Sequence, residues 1–79
     1  MTTEEKLGDL IKYQRLCLGL TCEEVAKAIG ANKGTISRWE RGRIAMSVTN
    51  LIALCKALDI TPAEILTEIT APEVRPNDD

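Results

Sequence analysis

A chain of 79 residues has room for one small hydrophobic core, and 44% hydrophobic residues with no phenylalanine make that core aliphatic. Three cysteines without close-pair spacing, in a chain with no histidine, exclude a zinc site and a disulfide scaffold, and no cofactor is expected. The net charge of −2 conceals an asymmetry: residues 1–58 carry nine Lys/Arg against six Asp/Glu, residues 59–79 one against six, so the acidity belongs to the C-terminal end.

The first helix is predicted from near Thr3, with Glu4 and Glu5 in its first turn. Leu7, Leu10, Ile11 and Leu18 follow at near-helical spacing up to Gly19, a residue suited to a left-handed helix end. Thr21-Cys22-Glu23-Glu24 reads as a capping box opening a second helix with Val25, Ala26 and Ile29 on one face, stopped by Gly30. Asn32 is the expected N-cap of a third helix, Lys33 to about Glu40, whose inner face is Ile36 and Trp39. After the loop Arg41 to Met46, Ser47 caps a fourth helix with Val48, Leu51, Ile52, Leu54, Cys55 and Leu58 inward. Thr61-Pro62-Ala63-Glu64 opens a fifth with Pro at the first helical position and a second capping box. The expected organisation is an all-α domain over residues 1–69 and an acidic, proline-containing disordered tail over 70–79. Apolar stretches such as Leu16 to Leu20 and Val48 to Leu58 are too short or too interrupted to cross a bilayer. Met1 to Glu5 lacks the basic and apolar regions of a secretion signal, so a cytoplasmic protein without membrane partners is expected.

Cys22 to Glu40 holds two short helices joined by a tight glycine-containing turn, with small Ala26 allowing close approach. If Val25, Ile29, Ile36 and Trp39 face inward, Lys33, Gly34, Ser37 and Arg38 face outward. Within Asn32 to Arg43 the bases Lys33, Arg38, Arg41 and Arg43 meet one acid, Glu40, so a positive surface survives the negative total. A charge run is commonly a solvated face, but four bases on and after the second helix of such a pair favour an anionic partner. Trp39, three residues from Ile36, reads as a packing residue and not as a base-stacking platform. Thr35 and Ser37 have no histidine to act as base, so no enzyme activity is expected.

Thr21 to Glu40, with Gly30, Thr35-Ile36-Ser37-Arg38-Trp39-Glu40-Arg41-Gly42 and Ala57-Leu58-Asp59-Ile60, resembles the Cro/phage-repressor (XRE-type) helix-turn-helix family over roughly Leu7 to Leu66. The resemblance implies a compact five-helix, lambda-repressor-like domain with the helix-turn-helix at helices two and three. It also implies a recognition helix lying in the DNA major groove. By position, Lys33, Gly34, Ser37 and Arg38 would contact bases, Lys33 and Arg38 being donors suited to guanine O6 and N7. Thr21, Cys22, Asn32, Thr35, Arg41 and Arg43 would contact phosphates, which sets register without reading sequence. Arg15 and Glu40 would form a structural ion pair, and Ile65, Leu66 and Ile69 a dimer interface, unless the fifth helix only closes the core.

The sequence departs from the family pattern where Cys22 replaces a usual glutamine, Gly34 a commonly polar reader, Gln14 a leucine and Met46 a proline. Cys22, at a helix start near bases, also opens a redox-switch reading through a lowered thiol pKa, which Glu23 and Glu24 oppose. The implied function is a transcriptional regulator, a repressor, binding a palindromic double-stranded operator as a homodimer. The competing reading is a protein-interaction module of the same fold, antitoxin-like or an anti-repressor partner, with weak or no DNA binding.

Overall fold

Each helix starts where a side-chain oxygen satisfies a main-chain N–H that the helix itself leaves free. The computed structural model describes residues 1–71 and contains α1 (Thr3–Cys17), α2 (Cys22–Ile29), α3 (Lys33–Glu40), α4 (Val48–Ala57) and α5 (Pro62–Thr70). Among the described residues there is no strand, and no helix is long and apolar enough to cross a membrane. The expected tail falls, from residue 72 on, outside the described residues, and Thr70 still belongs to α5.

The capping box predicted at Thr21 and Glu24 is present in both halves: Glu24 N–H donates to Thr21 Oγ1 at 3.1 Å and Thr21 N–H to Glu24 Oε1 at 2.9 Å. A second box, at Thr2 and Glu5, opens α1. Asn32 and Ser47 cap α3 and α4 as expected. At α5 only the forward half of the predicted box forms, Glu64 N–H donating to Thr61 Oγ1 at 3.2 Å. Gly30 ends α2 at φ +73°, a left-handed conformation that strains any residue with a Cβ, and Ala31 N–H returns to the Ala26 carbonyl.

The core is built around Ile11 of α1, Val25 and Ala26 of α2, Ile36 and Trp39 of α3, and Leu54 and Leu58 of α4. Leu51, Cys55 and Ile65 form an adjoining cluster, and Leu7, Met46 and Ile60 pack on both. Met46 thus fills space where the family pattern has proline. Gln14 reaches across to α4, its Nε2 donating to the Leu58 carbonyl at 2.9 Å, a bond that leucine could not make.

Four apolar expectations need correction. Val48 and Ile52, predicted inward, are 71% and 42% exposed. A ten-residue helix buries a single stripe, here Leu51, Leu54, Cys55 and Leu58, and Val48 lies on its first turn beyond that packing. Leu18 follows the end of α1 and is exposed. Ile65, placed with Leu66 and Ile69 at a dimer interface, is enclosed by this chain's own core and presents no surface to a second copy; Leu66 is 50% exposed and Ile69 half-buried.

The tightest constraint is backbone against backbone. Gly8, midway along α1, lies so close to the end of α3 that a Cβ there would fall within 2.5 Å of the carbonyl oxygens of Trp39 and Glu40. One turn earlier, a Cβ on Gly42, at φ +68°, would come 2.8 Å from the Cα of Glu5. Gly8→Ala is therefore expected to destabilise the domain by about 1–3 kcal/mol or more, although alanine is the better helix former by about 1 kcal/mol. Urea unfolding checks this, and an unchanged or increased midpoint would contradict the close approach.

Candidate nucleic-acid interface

The inner face of α3 is fixed by Ile36 and Trp39, so its opposite face is presented outward. Lys33 and Arg38 are exposed there, Ser37 and Gly34 are half-buried, and Arg41 and Arg43 stand exposed just beyond the helix end. None of these four cations is in an ion pair among the described residues, where Arg15 with Glu40 is the one salt bridge. A Cβ on Gly34 would meet only side-chain ends, Asn32 Oδ1 at 3.2 Å and Arg38 Nη1 at 3.5 Å. The missing side chain leaves room for the Arg38 guanidinium to lie back toward Thr35 Oγ1, 3.5 Å from its Nη2. Any contact made by Gly34 itself is main-chain.

At the start of α3, Asn32 Oδ1 accepts from both the N–H and the hydroxyl of Thr35, at 2.9 and 3.1 Å. Its amide Nδ2 makes no hydrogen bond among the described residues. Thr21 uses its oxygen as acceptor in the capping box, which leaves its hydroxyl proton to donate. These are groups of the kind that hold a phosphate oxygen.

Glu40, at the last residue of α3, is 5% exposed at its side chain and Arg15 of α1 is 11% exposed. They meet in a bidentate pair: Arg15 Nε donates to Glu40 Oε2 at 2.6 Å and Nη2 to Oε1 at 2.9 Å. Arg15 Nη1 also donates to the Leu20 carbonyl at 2.8 Å, so one guanidinium ties α1, the turn before α2 and the end of α3 together. The hydrogen bond to Glu40 raises the Arg15 pKa above its ordinary value against the opposing effect of burial. No buried side-chain nitrogen or oxygen among the described residues is left without a partner.

Cys22 occupies the first turn of α2 but turns its thiol inward, Sγ lying 3.8 Å from Glu40 Oε2. Its side chain is half-buried and directed at that carboxylate. Burial, then the Glu40 carboxylate, push the thiol pKa up, the opposite of the lowered value that a redox-switch reading requires. Lys12 of α1, which the sequence reading passed over, shares an open cleft of about 650 Å³ with Cys22, Ser37, Arg41 and Arg43. The signal was available: Lys12 precedes Arg15 by three residues and so lies on the same helical face.

With this geometry in view, the similarities of the chain are specific. The helix-turn-helix family model matches residues 11–65. The HTH-type transcriptional regulator DicA of Escherichia coli K12 is 38% identical over 60 residues, which are 76% of this chain and 44% of DicA, so the chain spans less than half of that relative. Among solved structures, the clp gene regulator ClgR of Corynebacterium glutamicum superposes with a TM-score of 0.83 at 33% identity, covering 87% of this chain and 88% of ClgR. The restriction-modification controller protein C.Esp1396I, solved as a tetramer with its natural 35-base-pair operator, gives a TM-score of 0.76 at 25% identity, covering 87% and 96%.

Two outcomes follow from the Arg15 hub. Glu40→Ala, which leaves a buried guanidinium unpaired, is expected to cost about 3–5 kcal/mol, whereas the double change Arg15→Met with Glu40→Leu costs much less. Denaturant unfolding of the three proteins checks this, and equal losses would contradict a desolvated pair. Because Cys22 is half-buried with its thiol against Glu40 while Cys17 is exposed, iodoacetamide is expected to modify Cys17 before Cys22; the reverse order, read by mass spectrometry, would show an accessible, reactive thiol at Cys22.

Proposed function

The chain belongs to the Cro/phage-repressor type of helix-turn-helix family, and on that premise we propose that it is a sequence-specific DNA-binding transcriptional regulator that acts as a homodimer on a two-fold symmetric operator. The observation that carries this reading is the outer face of α3, whose cations are exposed and, among the described residues, in no ion pair, while the inner face is locked into the core. In this reading Lys33, Ser37 and Arg38 read base edges in the major groove, with Gly34 allowing close backbone approach. Asn32, Thr35, Arg41 and Arg43 hold phosphates with the Thr21 hydroxyl and the Cys22 N–H. Two copies place their α3 helices about one helical turn of DNA, ~34–36 Å, apart. The operator-bound tetramer of C.Esp1396I supports a multimeric state. Leu66 and Ile69 of α5 are the apolar groups still offered to a second copy. Bound over a promoter, such a dimer represses by excluding other proteins from the same DNA.

A module of the same fold that serves a protein partner, as an antitoxin or an anti-repressor, is favoured by one observation, the withdrawal of the Cys22 side chain toward Glu40. Ionic strength separates the two readings. A DNA reader loses affinity steeply with salt because each phosphate contact releases condensed counterions, while an interaction module has no such affinity to lose.

Arg38→Ala is expected to relax preference at one base position at a cost of about 1–3 kcal/mol, and Arg43→Ala to weaken all sequences alike and flatten the salt dependence. Titration of both variants on a selected site and on random duplex DNA measures this. Equal losses on both DNAs for both variants would remove the division between base-reading and phosphate-holding residues.

A further inference from the structure

The cleft between α1, the start of α2 and the end of α3 contains more charge than the function above uses. Along α1 its lining runs from Glu5 and Asp9 to Lys12 and then Arg15, each one helical turn from the last. Glu5 is occupied by its capping box, its Oε1 accepting from Thr2 N–H at 2.8 Å, and Arg15 is consumed by Glu40. Lys12 is exposed and takes part in no ion pair among the described residues. It lies near enough to the start of α2 for its charge to act on the Cys22 thiol, and Arg41 and Arg43 line the same cleft. Lys12, Arg41 and Arg43, three cations from two separate segments with no ion pair among the described residues, thus line one opening beside the outer face of α3, where they outnumber Asp9, the one lining carboxylate that neither a capping box nor an ion pair occupies.

We infer that Lys12 is a phosphate-holding residue of the DNA interface, gripping from α1 a backbone phosphate that Arg41 and Arg43 approach from the α3 side. The inference rests on the DNA-binding reading above and extends it from the helix-turn-helix to the first helix. It also assigns an anchor for the position where Cys22, turned toward Glu40, supplies no side chain. An ammonium on a flexible stem suits a contact that needs charge and little direction.

The test is a salt titration of the full chain on duplex DNA, comparing wild type with Lys12→Gln, Lys12→Arg and Lys56→Gln. Lys56 provides the comparison because it is an exposed lysine of α4 lining a different groove. Loss of one phosphate contact lowers the slope of log K against log salt by about 0.9, equivalent to about an eightfold loss of affinity at 0.1 M salt. Lys12→Gln is expected to show that loss on specific and random DNA alike, Lys12→Arg to restore it, and Lys56→Gln to retain the wild-type slope. Unchanged thermal unfolding in all variants excludes a folding effect, since each altered side chain is exposed. If wild type binds DNA and Lys12→Gln keeps its slope, or Lys56→Gln loses as much, the inference falls while the DNA-binding reading stands. If wild type binds no DNA at low salt, both fall.

Discussion

The approach of α1 to the end of α3 is the constraint from which the rest of the arrangement follows. At Gly8 there is no space for even a methyl group between the first helix and the Trp39 and Glu40 carbonyls, and Gly42 lies against Glu5 one turn away. That contact fixes separation, and the Arg15–Glu40 pair fixes rotation, because a planar guanidinium held by both carboxylate oxygens tolerates little turning of either helix. A buried ion pair is weak evidence of net stability, since desolvation offsets much of its attraction. Its value here is geometric: the same Arg15 also holds the Leu20 carbonyl, so the entrance to α2 and the exit from α3 are referred to one side chain. With Ile36 and Trp39 buried, the outward direction of Lys33 and Arg38 is no longer free.

The electrostatics follow from where the acids are placed. The chain carries a net charge of −2, yet Glu5 and Glu24 turn back onto their own helix starts and Glu40 is neutralised by Arg15. Three carboxylates are thereby occupied in local structure, and Lys33, Arg38, Arg41 and Arg43 are in no ion pair among the described residues. A local positive field in a negative protein therefore costs no mismatch of the fold. Of the six acids in residues 1–58, those three are spent in this way.

What could be read from the residues alone was the chemistry confined to a few neighbours. Thr21 with Glu24, Asn32, Ser47 and Thr61-Pro62 marked helix starts because an N-cap needs only a short polar side chain and a chain reversal. Ile36 and Trp39 declared the inner face of α3 by spacing. Contacts between distant segments were not legible in this way. Gly8 carried no signal of its role, because the carbonyls it meets lie more than thirty residues away. Arg15 and Glu40 were paired by resemblance and not by spacing. Val48 and Ile52 misled because hydrophobicity marks what can be buried, whereas the length of α4 and its neighbours decide what is. Ile65 and Cys22 show the same limit within the site: each occupies the expected helix, and only packing determines that one turns into the core and the other toward Glu40.

The central claim is that a rigidly oriented α3 reads a specific duplex sequence from a two-fold assembly. The most direct test is selection of the purified protein on a random double-stranded DNA library, sequenced after rounds at low and then at physiological salt. Enrichment of a two-fold symmetric motif, with half-sites about one helical turn apart, is the result this account predicts. A folded protein that enriches no motif at either salt would contradict it and leave the fold serving a protein partner.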